Sequence, residues 1–118
     1  MANPNIVNVA TINGKTDVFA LTTTETNLVT ATANTVFKIN TIMVSNIDGS
    51  NAADVTIKYN DGSNDRAIAS TISVPADATL VVSDKNSAFY LEETEIIKGT
   101  ASANSDLECL ISYEIISD

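Results

Sequence analysis

Near the C-terminus Leu107, Cys109, Ile111, Tyr113 and Ile115 recur at every second position, with Glu108, Ser112 and Glu114 among the residues between them. A period of two places all five on one face of a strand, whereas a helix needs a period near 3.6. The segment Ala53-Asp54-Val55-Thr56-Ile57-Lys58-Tyr59 alternates in the same way, and Ile68, Ile72 and Val74 share a side in a third run. Composition supports the pattern. Isoleucine and valine number 13 and 10 against 6 leucines, and the polar residues are short, with 15 Thr, 13 Asn and 11 Ser. Branching at Cβ restricts rotamers in a helix but packs well on a pleated surface. At 118 residues the chain has the length of one domain with one core.

Turn residues separate these runs. Asp48-Gly49-Ser50-Asn51 and Asp61-Gly62-Ser63-Asn64 bracket the 53–59 strand, and Asp-Gly supplies the positive φ of a tight reversal. Pro75 ends the run before it, since proline has no N–H for the ladder. The polar stretch 101–106 separates the last two strands. Turns every ten residues or so, with no long helical window, predict an all-β fold. The expected form is a single antiparallel β-sandwich, jelly-roll-like, of about eight strands. Val55, Ile57, Ile72, Val74, Leu107, Cys109, Ile111 and Tyr113 are its expected inward residues.

Two segments need more than alternation. Phe37 to Ile47 is long for a strand and carries apolar residues on both parities (Phe37, Ile39 and Met43 against Ile42 and Val44), which predicts a bulge or bend near Thr41-Ile42. Asn13-Gly14 lies between Ile6–Ile12 and Lys15–Leu21 and is a hairpin signal. A type I′ turn there would set Ile12 against Lys15 and Val9 against Val18. The expected organisation is an N-terminal hairpin or arm over residues 1–22 and a sandwich over 23–118.

Composition bears on chemistry through what is missing. There is no His, no Trp, one Cys and one Arg (Arg66). The commonest general base and zinc ligand are therefore lacking, and Cys109 has no His to activate it. No catalytic, cofactor-binding or metal-binding residue is assigned, and the chain is not expected to be an enzyme. The two Asp-Gly-Ser-Asn elements lack EF-hand spacing and read as turns. Glu92-Glu93-Thr94-Glu95 reads as a solvated turn whose acids face outward. Tyr59, Tyr90 and Tyr113 read as core or rim residues with hydroxyls reaching polar edges. A net charge of −9 argues against nucleic acid as a partner. Neither a secretory leader nor a membrane span is expected, because apolar runs such as Ile6-Val7 and Ile115-Ile116 are short.

The order of elements resembles small virion structural proteins of tailed bacteriophages, particularly those infecting marine bacteria and cyanobacteria. The stretches carrying the likeness are INGKTDVFALTTT (12–24), FKINTIMVSNIDGS (37–50), ISVPADATLVV (72–82), FYLEETEII (89–97) and LISYEII (110–116). The resemblance implies a small β-sandwich present in many copies on a capsid surface or in a tail, made in the host cytoplasm and located in the virion. It brings no catalytic residues. The expected role is capsid decoration, with the major capsid protein or other virion proteins and the chain itself, as a homo-oligomer expected to be a trimer, as partners. A tail or neck component and a host-surface carbohydrate-binding module are the alternatives.

Overall fold

A computed structural model describes residues 3–117; Met1, Ala2 and Asp118 lie outside the described residues. Nine strands form within them. They are β1 (Thr11–Ala20), β2 (Thr26–Thr30), β3 (Thr35–Asn46), β4 (Ala53–Asn60), β5 (Asp65–Val74), β6 (Thr79–Ser83), β7 (Phe89–Leu91), β8 (Ile96–Ala101) and β9 (Leu107–Ser117), with a single 3₁₀ turn at Lys85–Ser87. One sheet has the order β1-β9-β3-β6, with β7 also on β3, and the other has the order β2-β8-β4-β5. All pairings are antiparallel.

The pairs are nested. β4 pairs with β5, β3 with β6 and β7, β2 with β8, and β1 with β9. The chain thus behaves as one long hairpin rolled up, and β3–β9 and β4–β8 contacts close the roll. Counting β6 and β7 as one interrupted strand gives the eight-stranded, two-sheet jelly roll. The expected fold class is therefore found.

Between the sheets the alternating runs interdigitate, as aligned sandwiches require. Ile39, Ile42, Val44, Val55, Ile57, Val74, Leu91, Ile97, Leu107, Cys109 and Ile111 are all fully enclosed. The long β3 switches parity as anticipated. Its pairing with β9 shifts register between Ile39 and Thr41. That extra residue turns Phe37 and Ile39 before it, and Ile42 and Val44 after it, toward the same core. Gly99 is needed where β8 passes beneath two leucines, because a Cβ there would lie 2.7 Å from Leu28 Cδ1 and 3.2 Å from Leu21 Cδ2.

Two expectations are corrected. Asn13-Gly14 forms no hairpin, since β1 runs straight through it in continuous register with β9, from Thr11↔Ser117 to Ala20↔Glu108. Lys15 therefore faces Tyr113 rather than Ile12, and Val18 faces Leu110 rather than Val9. The turn propensity of two residues is outweighed by a ten-residue ladder on a ready-made strand. Residues 3–10 instead approach the outer face of the five-stranded sheet. Pro4 is buried there, and Asn3, Pro4 and Ile6 line an open cleft of about 240 Å³ with Val36, Tyr90 and Glu92. Val36 and its partner Ile116 are buried outside the main core cluster.

Ile72 is the second correction, being 41% exposed. β5 is an edge strand whose register against β4 slips between Val55 and Ile57, next to Thr71 at φ 51°. The bulge lets Val74 stay buried while Ile72 is left at the open margin.

One buried polar residue holds the end of the sandwich where three loops meet. Asn46 is 3% exposed; its Nδ2 donates to the carbonyls of Asn51 and Val74, both at 2.9 Å, and its Oδ1 accepts from Asp48 N at 2.9 Å. Alanine at this position strands two carbonyls and an amide. We expect Asn46→Ala to cost about 1–3 kcal/mol, read from the urea midpoint.

Candidate functional site

The sandwich is open along one flank, where β5 of one sheet faces β6 and β7 of the other. Tyr59, Ile68, Val82, Ser83, Phe89 and Tyr90 line a cleft of about 400 Å³ there. The lining is apolar except at its rim. Tyr59 packs on Phe89 with ring centroids 5.9 Å apart. Its hydroxyl donates to the Glu95 carboxylate and lies 3.2 Å from the Tyr90 carbonyl. Burial, together with that carboxylate, pushes the Tyr59 phenol well above its ordinary value. The hydroxyl therefore stays protonated and serves as a hydrogen-bond donor rather than a base.

The acidic turn is corrected in part. Glu92 is exposed as expected, Glu93 and Glu95 are half-buried, and all three carboxylates are tied into the fold. Glu95 also accepts from Glu92 N at 2.8 Å, Glu93 accepts from Asn34 N, and Glu92 accepts from Asn3 Nδ2 at 2.7 Å. Asn3 Oδ1 in turn accepts from Glu93 N at 3.2 Å. The carboxylates therefore staple β7–β8 to the β2–β3 loop and to the N-terminal segment. Ala31 completes the tie through its amide on Glu95 O at 3.0 Å and its carbonyl on Thr94 N at 2.9 Å. No local sequence signal marks Asn3 or Asn34 as partners, because both lie far from residue 92 in the chain.

Tyr113 and Tyr59 follow the sequence reading. Tyr113 is buried, stacks on Phe37 at 5.1 Å and donates its hydroxyl to Asp17 Oδ2 at 2.6 Å. Tyr90 is 43% exposed beside the cleft.

The two Asp-Gly-Ser-Asn elements are turns, as expected. Asp48 Oδ1 accepts from Ser50 N (2.8 Å) and Asn51 N (3.3 Å), and Asp61 Oδ1 accepts from Ser63 N (2.9 Å) and Asn64 N (2.7 Å). Gly62 takes φ 96°. The backbone N–H groups hold both carboxyls below their ordinary 3.8, because they bind the charged form. A depressed folded value means the stabilisation is present above about pH 4 and is lost as pH falls through the folded value. We expect the denaturant midpoint to fall on acidification below about pH 4, and the Asp48→Asn, Asp61→Asn double variant to show a shallower fall.

Cys109 sits between the sheets with no exposed surface, and burial pushes its thiol up to about 12. It should resist an aromatic disulfide reagent in the native state and react fully once urea unfolds the chain. Rapid native labelling would contradict the placement of β9.

Basic residues are few, and the clearest group lies on the four-stranded sheet. Lys58 is 3.0 Å from Glu25, and Lys98 is 3.3 Å from Asp65 and 4.0 Å from Glu25. These are partly exposed pairs of small energetic weight. Among the described residues no group of three or more His, Cys, Asp or Glu could hold a metal ion, and no helix is long and apolar enough to cross a membrane.

No protein-family model matches the sequence, and no curated protein does either. Solved structures do match. One is a chain from Bacillus endospore appendages, a family of disulfide-linked pili, at 10% identity and a TM-score of 0.54, covering 92% of this chain and 88% of that one. Another is a chain from the acid-stable capsid of Helicobacter pylori bacteriophage KHP30, at 7% identity and a TM-score of 0.53, covering 92% and 89%. The likeness is one of fold. It spans the whole roll rather than one sheet, and at such low identity it transfers no residue's role.

Proposed function

We propose that this chain is a non-enzymatic structural protein of a bacteriophage virion, a capsid decoration protein that binds the major capsid protein and other copies of itself. The supporting observation is a jelly roll shared over 92% of its length with chains of two assembled structures, a phage capsid and a spore pilus. The phage-like order of strands and turns along the sequence supports the same reading. The acids that could suggest acid–base chemistry are engaged in turn and loop hydrogen bonds.

The pili are described as disulfide-linked. In this chain the one cysteine is enclosed in the core, where it cannot link copies by a disulfide. A net charge of −9 repels copies in dilute buffer. Salt shortens the Debye length from about 10 Å at 0.1 M to about 3 Å at 1 M, and association should strengthen accordingly.

Copy number in purified virions tests the proposal. Hundreds of copies per particle support a head-surface protein. A few or a few dozen place it in the tail or neck, and absence from the particle overturns a virion role. One observation favours a different reading, a host-surface carbohydrate-binding module: the cleft beside Tyr59, Phe89 and the exposed Tyr90. Glycan-array binding abolished by Tyr90→Ala would favour that module over decoration.

A further inference from the structure

Four edges border the two sheets, and three of them are blunted against pairing with another strand. β2 is five residues long and bulged between Asn27 and Val29. β5 slips register twice against β4. The remaining edge is made of β6 and β7, five and three residues, broken by the 3₁₀ turn. Short strands, bulges and interruptions are the usual protections of an exposed edge. β1 has none of them. It runs ten residues in unbroken register on β9, contains no proline, and leaves Ile12 56% and Val18 65% exposed.

We propose that β1 is a homotypic docking edge: β1 of a second copy pairs with it antiparallel across a twofold axis at Thr16, joining two five-stranded sheets into one sheet of ten. This rests on the self-assembly reading above and specifies its contact. Backbone geometry restricts the register. Leu21 N donates to Leu107 O on the β9 side, so the odd positions point their backbone groups at β9. Ile12, Gly14, Thr16, Val18 and Ala20 then point theirs outward, and an antiparallel partner has to match even positions with even.

Charge selects among the registers that remain. An axis at Lys15 sets Lys15 against Lys15, and an axis at Asp17 sets Asp17 against Asp17. The axis at Thr16 sets each Lys15 opposite the second copy's Asp17, and opposite charges across strands are favourable where like charges are not. It also places Val18 against Gly14 and Ile12 against Ala20, large against small, and Gly14 has open space around the position of a Cβ. Asp17 already holds the Tyr113 hydroxyl at 2.6 Å and lies 3.7 Å from its own Lys15, so its carboxylate is fixed in place on the strand. An isologous contact of this kind gives pairs, so a dimer rather than the trimer expected from the sequence is the smallest assembly.

Disulfide trapping on the full chain tests the register. At the twofold the two Thr16 Cα atoms stand about 5.5 Å apart, within disulfide reach. Thr16→Cys should give a covalent dimer under mild oxidation. Ile12→Cys should stay monomeric, because the two introduced thiols are offset by eight residues, about 27 Å. Buried Cys109 is silent in both. The wild-type chain should sediment as a dimer, and Lys15→Glu, which sets two acids face to face, should weaken it at least tenfold with an unchanged far-ultraviolet spectrum. Equal trapping of both variants, trapping of neither, or an unaltered dimer in Lys15→Glu overturns the contact. A chain abundant in virions that fails these tests keeps its virion role and loses only the β1 interface; one that passes them but is absent from virions keeps the interface and loses the role.

Discussion

Replacing Ile57 with alanine should lower the unfolding free energy by about 2–5 kcal/mol, while the same change at Ile72 should cost less than about 1 kcal/mol. Both residues lie in adjacent strands of one sheet and both belong to alternating runs. Ile57 is at the centre of β4, has no exposed surface, and stands so close to Gly99 that a Cβ there would lie 3.4 Å from its Cδ1. β8 and β5 flank it on both sides, so the walls of the cavity cannot collapse. Removing its outer carbons forfeits their transfer free energy and leaves a void. Ile72 is already 41% exposed on the bulged edge strand, so truncation there removes little burial. For a domain of this size the first change should lower the melting temperature by about 10 °C or more. Equal costs at the two positions would mean that Ile72 is enclosed rather than left at the margin of β5.

A chain starting at Thr23 should fail to fold cooperatively. That deletion removes β1 and so exposes the β9 backbone along the ten positions it pairs. It also removes Leu21, which is 1% exposed and bonds through its amide to Leu107 O at 2.9 Å. Phe19 leaves the margin of the core, the Tyr113 hydroxyl loses Asp17, and Val36 loses the Pro4 and Ile6 segment beside it. Loss of one enclosed leucine alone costs several kcal/mol, and the sum exceeds the roughly 5–15 kcal/mol that holds a typical domain folded. Loss of the native near-ultraviolet signal and of a cooperative urea transition is the expected result. A soluble, cooperatively unfolding fragment would instead make β1 a separable arm.

The all-β class, the runs that became β3, β4, β5 and β9, and seven of the eight expected core residues were legible in the sequence, because each follows from neighbours in the chain. Alternation assigned β4 and β9, Asp-Gly set the two turns around β4, and Pro75 closed β5 after Val74. Mixed parity in Phe37–Ile47 announced the bulge in β3, since one extra residue is the way to keep both sets of side chains inside.

What the sequence could not decide is which strand lies beside which, and the errors follow from that. Asn13-Gly14 has the chemistry of a hairpin turn, yet β9, about a hundred residues away, offered β1 a continuous partner, and ten ladder positions outweigh one local preference. Ile72 has the spacing of a core residue, but only its place on a bulged edge left it exposed. Glu92, Glu93 and Glu95 look like a solvated cluster until the roll brings Asn3, Asn34 and Tyr59 against them. Local periodicity and turn chemistry act over a few residues and were sufficient for elements. Register, edges and the partners of polar side chains depend on contacts between segments distant in the chain, and those exist only once the nested pairs have closed.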